Sequence, residues 1–507
     1  MEGDSTTAPP AVQPTEAPKE AQPTEAQPEA RPTEAPNELA AGIAEPPPAA
    51  PQQPQAPLAP LAPIFSRWRW LTIIVLVGFG LRALYALWLH PIGDYLYSDM
   101  EGHYHAAQAF ADPRHVFSRW DIVKPRAMGF IGGFILSHFK HGGLQVWGGL
   151  QVLLSTATLP LTFIFTRRFF GRRTALLATA FLAINYLPIG FAGYLMTETY
   201  LMFCLALSAA LLVPERPLLC LLSGLALGVG CLFKPQGLPL LPLWALVVFF
   251  WPLPGHAKRS FAEWLRAPQR LAAVLLVIGG ACAILPESMA VSRINGHPTL
   301  LTPYGGQNFY IGHCNVTKMD MNGSFFAGVP KVYQRNEPWP DVAFHVPVFD
   351  SAFYVEEGMK CFRQSFWGSA LWVVEQLADC FAGWPGSTID PWPIPQGWNS
   401  ITRPFNLLIA YVFFPLAMVT LWRRRRDRGT WLGFGAPMAA VWGLAVIFSG
   451  DPRYREPFDL FTIAGGSWTL LHIWDHWALP RIAAELAKRS RPVEASPEAS
   501  SQVSPGA

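Results

Sequence analysis

Two carboxylates, Asp99 and Glu101, follow the first long apolar segment of the chain, in the stretch 97–104 with the sequence YSDMEGHY. A carboxylate within hydrogen-bond reach of a hydroxyl acts as a general base, because it takes the proton that the hydroxyl loses as its oxygen attacks a carbon atom. Asp99 is equally well placed to cap the N-terminus of a following helix, or to reduce the positive charge of its surface. The pattern leaves these interpretations open.

Five basic residues could bind a phosphate group, since Lys and Arg form charge-assisted hydrogen bonds to phosphate oxygens. They are Lys124, Arg126, Lys234, Arg453 and Arg455. The alternative for the first two is contact with lipid headgroups, and for Lys234 it is a side chain that reaches for the membrane–water interface. The two remaining arginines lie in the charged segment 451–457, DPRYREP, where a self-contained salt-bridge cluster is the alternative.

Glu198 follows Thr197 and opens another apolar segment. An ionisable residue at membrane depth is costly, and it therefore marks a candidate functional site. A carboxylate that stays at the water boundary is the alternative interpretation, because the end of this segment is not sharply defined.

The composition predicts an all-α polytopic membrane protein, in contact with membrane lipids. Of its 507 residues, 51% are hydrophobic and 14% are charged. Several apolar runs reach the roughly 20 residues that cross the hydrocarbon core of a bilayer. The net charge is +3, and the basic residues lie in short blocks between apolar runs. Nothing here indicates nucleic-acid binding, whereas a reactive acid at a membrane surface indicates chemistry on a lipid-linked substrate.

We predict about ten membrane-spanning helices from the apolar runs. They are expected near 69–90, 144–166, 174–192, 196–213, 217–233, 237–253, 271–286, 403–422, 431–449 and 457–475. The basic blocks all fall on one side when both termini are cytoplasmic, as the positive-inside rule requires. In this topology the candidate acids and cations emerge together on the opposite side. Gly224 and Gly228 have the small-xxx-small spacing that brings two membrane helices close together.

Two large extracytoplasmic loops follow from this topology, 91–143 and 287–402. The first belongs to an N-terminal transmembrane region, 63–286, and the second precedes the C-terminal helices, 403–478. Helical spacing from His103 predicts a short helix on the membrane surface. The segments 1–62, rich in Pro, Ala and Glu, and 479–507 are predicted to be disordered cytoplasmic tails. One disulfide among Cys314, Cys361 and Cys380 fits the second loop, with the pairing left open.

The chain resembles the integral-membrane glycosyltransferases of the GT-C class, especially the bacterial branch related to protein O-mannosyltransferases and the lipid A aminoarabinose transferase. The similarity extends over about 68–475 and rests on the order and spacing of several segments. These are SDMEGHY at 98–104, TE at 197–198, the glycine-rich run that ends in KP at 234–235, NGHP at 295–298 with GGQNFYIG at 305–312, and DPRYREP at 451–457.

This resemblance implies a GT-C-like fold and an inverting glycosyl transfer at the outer face of a bacterial inner membrane, with the active site toward the periplasm. A polyprenyl-phosphate sugar would be the donor. The acceptor would be a hydroxyl of lipid A, of a glycan or of a protein.

The resemblance also implies roles for individual residues. Asp99 and Glu101 would be the catalytic acids, with Asp99 favoured as the base. Many relatives have adjacent Asp and Glu at this point, whereas Met100 separates the two acids here, so the identity of the base stays open. The donor phosphate would be held by Lys124, Arg126, Lys234, Arg453 and Arg455. Tyr104 and Glu198 would contact the substrate.

Two other functions are consistent with the chain, a membrane transporter or flippase and an O-antigen polymerase or ligase for lipid-linked saccharides. A transporter more often has repeated halves and broken helices with polar residues at the membrane midplane, and the sequence has no clear internal repeat. The acids of the first loop favour a glycosyltransferase over a polymerase or ligase. No metal-ligand cluster stands out in the sequence. A divalent ion shared by Asp99, Glu101 and a donor phosphate stays open as a cofactor.

Overall fold

Helices account for every secondary-structure element in the part of the chain that the computed structural model describes, in agreement with the all-α prediction. The described residues are 68–94, 96, 99–251, 267–314, 349–364, 404–448 and 452–489, with single positions between 366 and 380. The predicted tail 1–62, much of the loop 287–402 and the last part of the tail 479–507 lie outside the described residues.

The helices are numbered here in chain order. Those of the N-terminal region are α1 (Arg69–Leu84), α2 (Asp99–Ala111), α3 (Ala127–His138), α4 (Gly143–Phe170), α5 (Arg172–Ile184), α6 (Tyr186–Gly193), α7 (Glu198–Leu211), α8 (Pro217–Phe233), α9 (Leu240–Phe249) and α10 (Pro268–Asn295). Those that follow are α11 (Gly305–Cys314), α12 (Ser351–Gln364), α13 (Phe414–Arg423), α14 (Ala436–Ile447), α15 (Pro452–Arg455), α16 (Asp459–Ile473) and α17 (Leu479–Arg489).

Five helical segments of the described chain are long and apolar enough to cross a membrane. They are Arg69–Asp94, Gly143–Phe170, Pro268–Asn295, Pro404–Arg423 and Arg428–Ile447. The pair α5 and α6 makes a sixth when it is counted as one span bent by 47°. Each of the ten predicted segments contains a helix, but α7, α8 and α9 are shorter than a full span, and α16 is not among the helices that qualify. The total of ten spans therefore stays a prediction.

Helices α8 and α10 touch through their backbones at glycines. A Cβ atom at Gly224 would lie 1.9 Å from the carbonyl oxygen of Leu276, and one at Gly279 would lie 2.0 Å from that of Leu221. Gly228 faces Gly280 with similarly little space. The structure thus confirms that Gly224 and Gly228 serve helix packing, because any larger side chain would force the two helices apart.

The break between α5 and α6 is stabilised by a buried arginine of α1. The guanidinium of Arg82 donates to the carbonyl oxygens of Leu182 and Ala183, at 3.1 and 3.0 Å, and to Ser155 Oγ at 2.8 Å. The last carbonyls of a helix need such donors where water is excluded. At the start of α6, the side chain of Asn185 accepts from the backbone N–H of Leu187. The span can therefore break inside the bundle without leaving these backbone groups unsatisfied.

The two helices of the segment 91–143, α2 and α3, are docked onto the bundle. Trp147 of α4 is fully buried, and its indole N–H donates to the hydroxyl of Tyr200 in α7 at 2.8 Å. The same ring lies against Gly132 of α3, where a Cβ atom would be 2.0 Å away. Ala107 of α2 also contacts this point. This packing brings the beginning of α2 close to the beginning of α7.

The helix predicted in the first loop is present as α2, and it begins at Asp99, four residues before the predicted start. Its position on the membrane surface stays a prediction. At the other end of the chain, α17 extends to Arg489. The prediction of a disordered tail from residue 479 is therefore wrong for Leu479–Arg489, which continue as a helix after α16.

Cys361 of α12, in the predicted second loop, is disulfide-bonded. Cys380 is a buried thiol. Cys361 is thus one member of a disulfide, and the pairing among the loop cysteines stays a prediction.

Candidate functional site

Five of the predicted site residues converge in one charged network. Two are acids, each in the first turn of a helix, and three are cations from other parts of the chain. The members are Asp99 of α2, Lys124 before α3, Glu198 of α7, Lys234 after α8 and Arg453 of α15. Residues 354 positions apart in the chain are thereby in direct contact.

Asp99 is held by two different cations. Its Oδ1 accepts a hydrogen bond from Lys124 Nζ at 2.7 Å, and its Oδ2 accepts one from Arg453 Nη1 at 2.9 Å. The Asp99 side chain is nevertheless 31% exposed. Both carboxylate oxygens are thus engaged by charge-assisted bonds in a position that a substrate can approach.

Glu198 is the buried centre of the network. Its side chain has no exposed surface, and its Oε1 accepts from Lys234 Nζ at 2.7 Å and from Arg453 Nε. The hydroxyl of Thr197 donates to Oε2 at 3.2 Å. An unpaired carboxylate at such a position would cost several kcal/mol, so Glu198 depends on these cations to remain charged.

Local sequence explains how Lys234 reaches this centre. The residue before a proline disfavours helical backbone angles, so α8 ends just before Lys234-Pro235. Lys234 is extended, with φ −149° and ψ 111°, and its ammonium lies 5.5 Å from the ring centre of Tyr454. That distance is within the range of a cation–π contact.

Gly102 provides the space through which Lys124 crosses α2. A Cβ atom at this position would lie 2.7 Å from Lys124 Nζ. Gly102, which follows Glu101 in the loop motif, therefore has a steric role, because a side chain at this position would push Lys124 away from Asp99.

The charges of the network set the protonation state of Asp99. Among the residues that the structure describes, the network contains three cations and two carboxylates. Burial raises the pKa of Asp99, but the charges of Arg453 and Lys124 outweigh burial and hold that pKa well below its usual range. Asp99 is therefore ionised at neutral pH, and in this arrangement it is a weak base.

Two further residues lie within electrostatic reach of Asp99, and the sequence interpretation did not select either as a site residue. His103 is 5% exposed, and burial together with the charge of Lys124 lowers its pKa to about 4. Burial and the charge of Asp99 raise the pKa of Tyr304. His103 lies one helical turn after Asp99, a spacing that places both on one face of α2 and could have identified it.

Tyr304 belongs to the outer segment that leads into α11. The hydroxyl of Thr302 donates to the carbonyl oxygen of Val123 at 2.6 Å, next to Lys124. The backbone N–H of Tyr304 in turn donates to Thr302 Oγ1 at 3.2 Å. The stretch that carries the NGHP and GGQN similarity is thereby attached to the side of the network that holds Lys124.

Arg126 is engaged outside the network. It forms two hydrogen bonds of 2.8 Å with the carboxylate of Glu287 in α10. Its guanidinium also lies 5.4 and 5.2 Å from the ring centres of Phe117 and Phe130. The structure does not bring this predicted phosphate ligand together with Asp99 or Glu198.

Arg455 is likewise engaged elsewhere, although it lies only two residues after Arg453. Its side chain is fully buried and donates to Asp459 at 2.8 Å and to the amide oxygen of Asn406 at 2.8 Å. A further bond reaches the carbonyl oxygen of Cys380. These contacts join α15 to α16 and to the segment before α13.

The remaining two candidates are on α2. Glu101 is 57% exposed and pairs with His105 at 3.3 Å, so it points away from Asp99. Tyr104 is half-buried and packs against an apolar cluster that includes Met100, Ala107 and Trp147.

A divalent ion does not fit this donor set as it is arranged. Within the described residues, no group of three or more His, Cys, Asp or Glu side chains is placed to hold a metal ion. Asp99 directs both oxygens at cations and Glu101 faces His105, so the two acids do not form a shared site. We derive no step through a metal.

No protein-family model matches the chain, and no curated protein sequence matches it significantly. Among solved structures, those of oligosaccharyltransferases from Archaeoglobus fulgidus, including AglB, align with the chain. In complex with an inhibitory peptide and a dolichol-phosphate, that protein aligns with a TM-score of 0.46 and 14% identity over 85% of this chain and 53% of its own. The Archaeoglobus fulgidus oligosaccharyltransferase tethered with an acceptor peptide aligns with a TM-score of 0.45 and 13% identity over 85% of this chain and 52% of its own. The chain spans about half the length of these structures.

Proposed function

We propose that the protein is an integral-membrane, inverting glycosyltransferase of the GT-C class. It would move a sugar from a polyprenyl-phosphate donor to a hydroxyl of lipid A, a glycan or a protein, at the periplasmic face of a bacterial inner membrane. The observation that carries this proposal is the contact of one accessible carboxylate, Asp99, with two cations from other parts of the chain, Lys124 and Arg453. The sequence resemblance supports the same class.

The proposed reaction uses both halves of this network. The acceptor hydroxyl attacks the anomeric carbon from the face opposite the phosphate, the bond between that carbon and the phosphate oxygen breaks, and the configuration inverts. Asp99 accepts the proton of the hydroxyl. The leaving group takes the electron pair and changes from a singly charged diester to a phosphate monoester of about −1.5 to −2 charge.

Lys124, Lys234 and Arg453 are the proposed ligands of that phosphate. Fixed cations stabilise a transition state when negative charge develops beside them. Arg126 and Arg455 each have a carboxylate partner outside the network, so we assign them to positioning its elements. Glu101 and Tyr104 stay candidates for acceptor contacts from the exposed side of α2.

A transporter or flippase for lipid-linked saccharides is the second candidate. The observation that favours it is the break between α5 and α6, because discontinuous membrane helices are frequent in transporters. Against it, the polar groups at that break are satisfied within the protein by Arg82 and Asn185. An O-antigen polymerase or ligase has no observation of its own in its favour.

The test is transfer of radiolabelled sugar from polyprenyl-phosphate donors by the full-length protein in lipid bilayers. Wild type is compared with Asp99→Asn and with Asp112→Asn. Asp112 is a matched control, since it is an exposed acid of the same loop that accepts only a local backbone bond. Label that reaches an acceptor with wild type and the control, but not with Asp99→Asn, supports the proposal. No transfer by folded wild type, with movement of the intact donor across the bilayer, would establish the transporter instead.

A further inference from the structure

The two acids of the network differ in how firmly they are held. Glu198 is fully buried, receives Lys234 and Arg453 on one oxygen and Thr197 on the other, and lies in the first turn of α7. Asp99 is 31% exposed, and its partner Lys124 is 40% exposed. Solvent can therefore reach the Asp99–Lys124 contact and cannot reach the side chain of Glu198.

Arg453 connects these two environments. Its Nε is bound to Glu198, while Nη1 is bound to Asp99 at 2.9 Å. If Asp99 withdrew, Arg453 would stay in place through Glu198, and Lys234 would be unaffected because it contacts Glu198 alone of the two acids. The cations of the network can thus exchange one counter-ion without losing the other.

We propose that Glu198 is a positioning residue that keeps Arg453 and Lys234 fixed, and that Asp99 is an exchangeable counter-ion which the donor's phosphate displaces from Lys124 and Arg453. This inference rests on the proposed function. Displacement gives the phosphate two ligands that are already oriented. Displacement also releases the two oxygens of the Asp99 carboxylate from their cations. Asp99 therefore becomes a stronger base only when a donor is bound.

Charge accounts for the direction of the exchange. Among the described residues, the titratable and charged groups around Asp99 are His103 on its own helix, Lys124 before α3, Arg453 of α15 with Glu198 behind it, and Tyr304 before α11. Of these, only Lys124 and Arg453 carry positive charge at neutral pH. A phosphate that takes both removes the cations that stabilise the Asp99 carboxylate and adds a negative charge nearby, and both changes raise the proton affinity of Asp99.

The first experiment measures the affinity of geranyl phosphate for the full-length protein in lipid nanodiscs by calorimetry. Asp99→Asn removes the competing carboxylate, and we expect binding to become roughly two- to fivefold tighter, the upper part of the range for an exposed ion pair. Asp112→Asn should bind as wild type does. Unchanged or weaker binding by Asp99→Asn, where wild type transfers sugar and this variant does not, would overturn this inference and leave the proposed function standing. Absence of both binding and transfer in wild type would overturn both.

The second experiment tests Glu198 as the fixed partner. Glu198→Gln should weaken geranyl phosphate binding at least about tenfold, because Arg453 and Lys234 lose their anchor, and Glu198→Asp should recover part of that loss. If Glu198→Gln does not fold, Glu198→Asp alone decides, since a substitution without effect on binding would contradict the positioning role.

The third measurement uses pH and wild-type enzyme. In the pH profile of kcat, the acid limb reports the pKa of the base in the donor complex. In the profile of kcat/KM for the donor, it reports the pKa of that base in the free enzyme. We expect the limb of kcat to lie at higher pH by about one unit or more. Coincident limbs would mean that Asp99 keeps its partners when the donor binds.

Discussion

Arg126 and Glu287 form a two-bond ion pair between the first outer loop and the end of α10, with both N···O distances at 2.8 Å. Their side chains are 6% and 18% exposed. Lys124 lies two residues before Arg126, across Pro125, and Thr302 holds the adjacent carbonyl of Val123. The Arg126–Glu287 pair therefore fixes the segment from which Lys124 reaches Asp99.

Glu287→Gln should weaken this attachment in a measurable way. Removing one partner of a largely buried pair leaves the other charge unsatisfied and costs about 1–3 kcal/mol. We expect a lower thermal midpoint and a higher KM for the donor, because Lys124 is less well positioned, with kcat reduced less. The double variant Arg126→Met with Glu287→Met should recover stability but not KM. Equal recovery of both would show that the pair has no part in positioning Lys124.

Substitution of Glu101 distinguishes the two acids of the loop motif. Glu101 is 57% exposed and pairs with His105 only one turn away, and exposed pairs of this kind contribute about 0.5 kcal/mol or less. Glu101→Gln should therefore retain kcat within about twofold, whereas Asp99→Asn should lose at least about a hundredfold, the lower range for a general base. Transfer assays on both variants at one protein concentration decide the matter, and the reverse pattern would make Glu101 the base.

Arg453→Lys tests the residue that joins Asp99 to Glu198. A lysine ammonium cannot form the same two directed contacts as a guanidinium, since it is a compact charge without a planar fork. We expect kcat/KM for the donor to fall by about 10²–10³, as for loss of one donor to a developing negative charge. Arg455→Lys is the matched comparison. Arg455 binds Asp459 and Asn406 in the interior. Arg455→Lys should therefore lower the thermal midpoint while the activity per folded molecule is preserved.

The sequence predicted the long apolar helices and most of the network for a simple physical reason. A chain that is mostly apolar helix has few positions for charge, so acids and cations at the ends of spans on one face tend to meet. This reasoning selects Asp99, Lys124, Glu198, Lys234 and Arg453 together. It does not separate Lys124 from Arg126, or Arg453 from Arg455, because those assignments depend on partners such as Glu287 and Asp459 that lie elsewhere in the fold.

Sequence patterns could not predict some other features of the structure, for different reasons. Arg82 lies inside a segment that is apolar enough to be a span, and its partners are backbone carbonyls of α5, which no residue type reveals. Tyr304 comes to Asp99 only through the Thr302–Val123 bond between two outer loops. His103 was within reach, because its four-residue spacing from Asp99 places both on one face of a helix.

The contact of Arg82 with the broken span leads to a stability prediction. Arg82→Met keeps much of the side-chain volume but removes the donors to the carbonyls of Leu182 and Ala183, and each unsatisfied buried group costs about 1–3 kcal/mol. We expect a marked loss of thermal stability in detergent. Arg69→Met, an exposed position at the start of the same helix, should have little effect. An unchanged midpoint for Arg82→Met would mean that water or lipid reaches the end of α5.

His103 supplies a pH-dependent contribution to stability with a definite sign. Burial lowers its pKa from 6.5 to about 4 in the folded protein, so the folded state resists protonation while the unfolded state accepts a proton below pH 6.5. Stability is thus complete above pH 6.5 and falls as the pH decreases toward 4, by an amount on the order of 3 kcal/mol. His103→Gln, which cannot titrate, should unfold with less pH dependence across this interval in the same detergent. Parallel curves for wild type and His103→Gln between pH 6.5 and 4 would show that His103 is already accessible to protons in the folded protein.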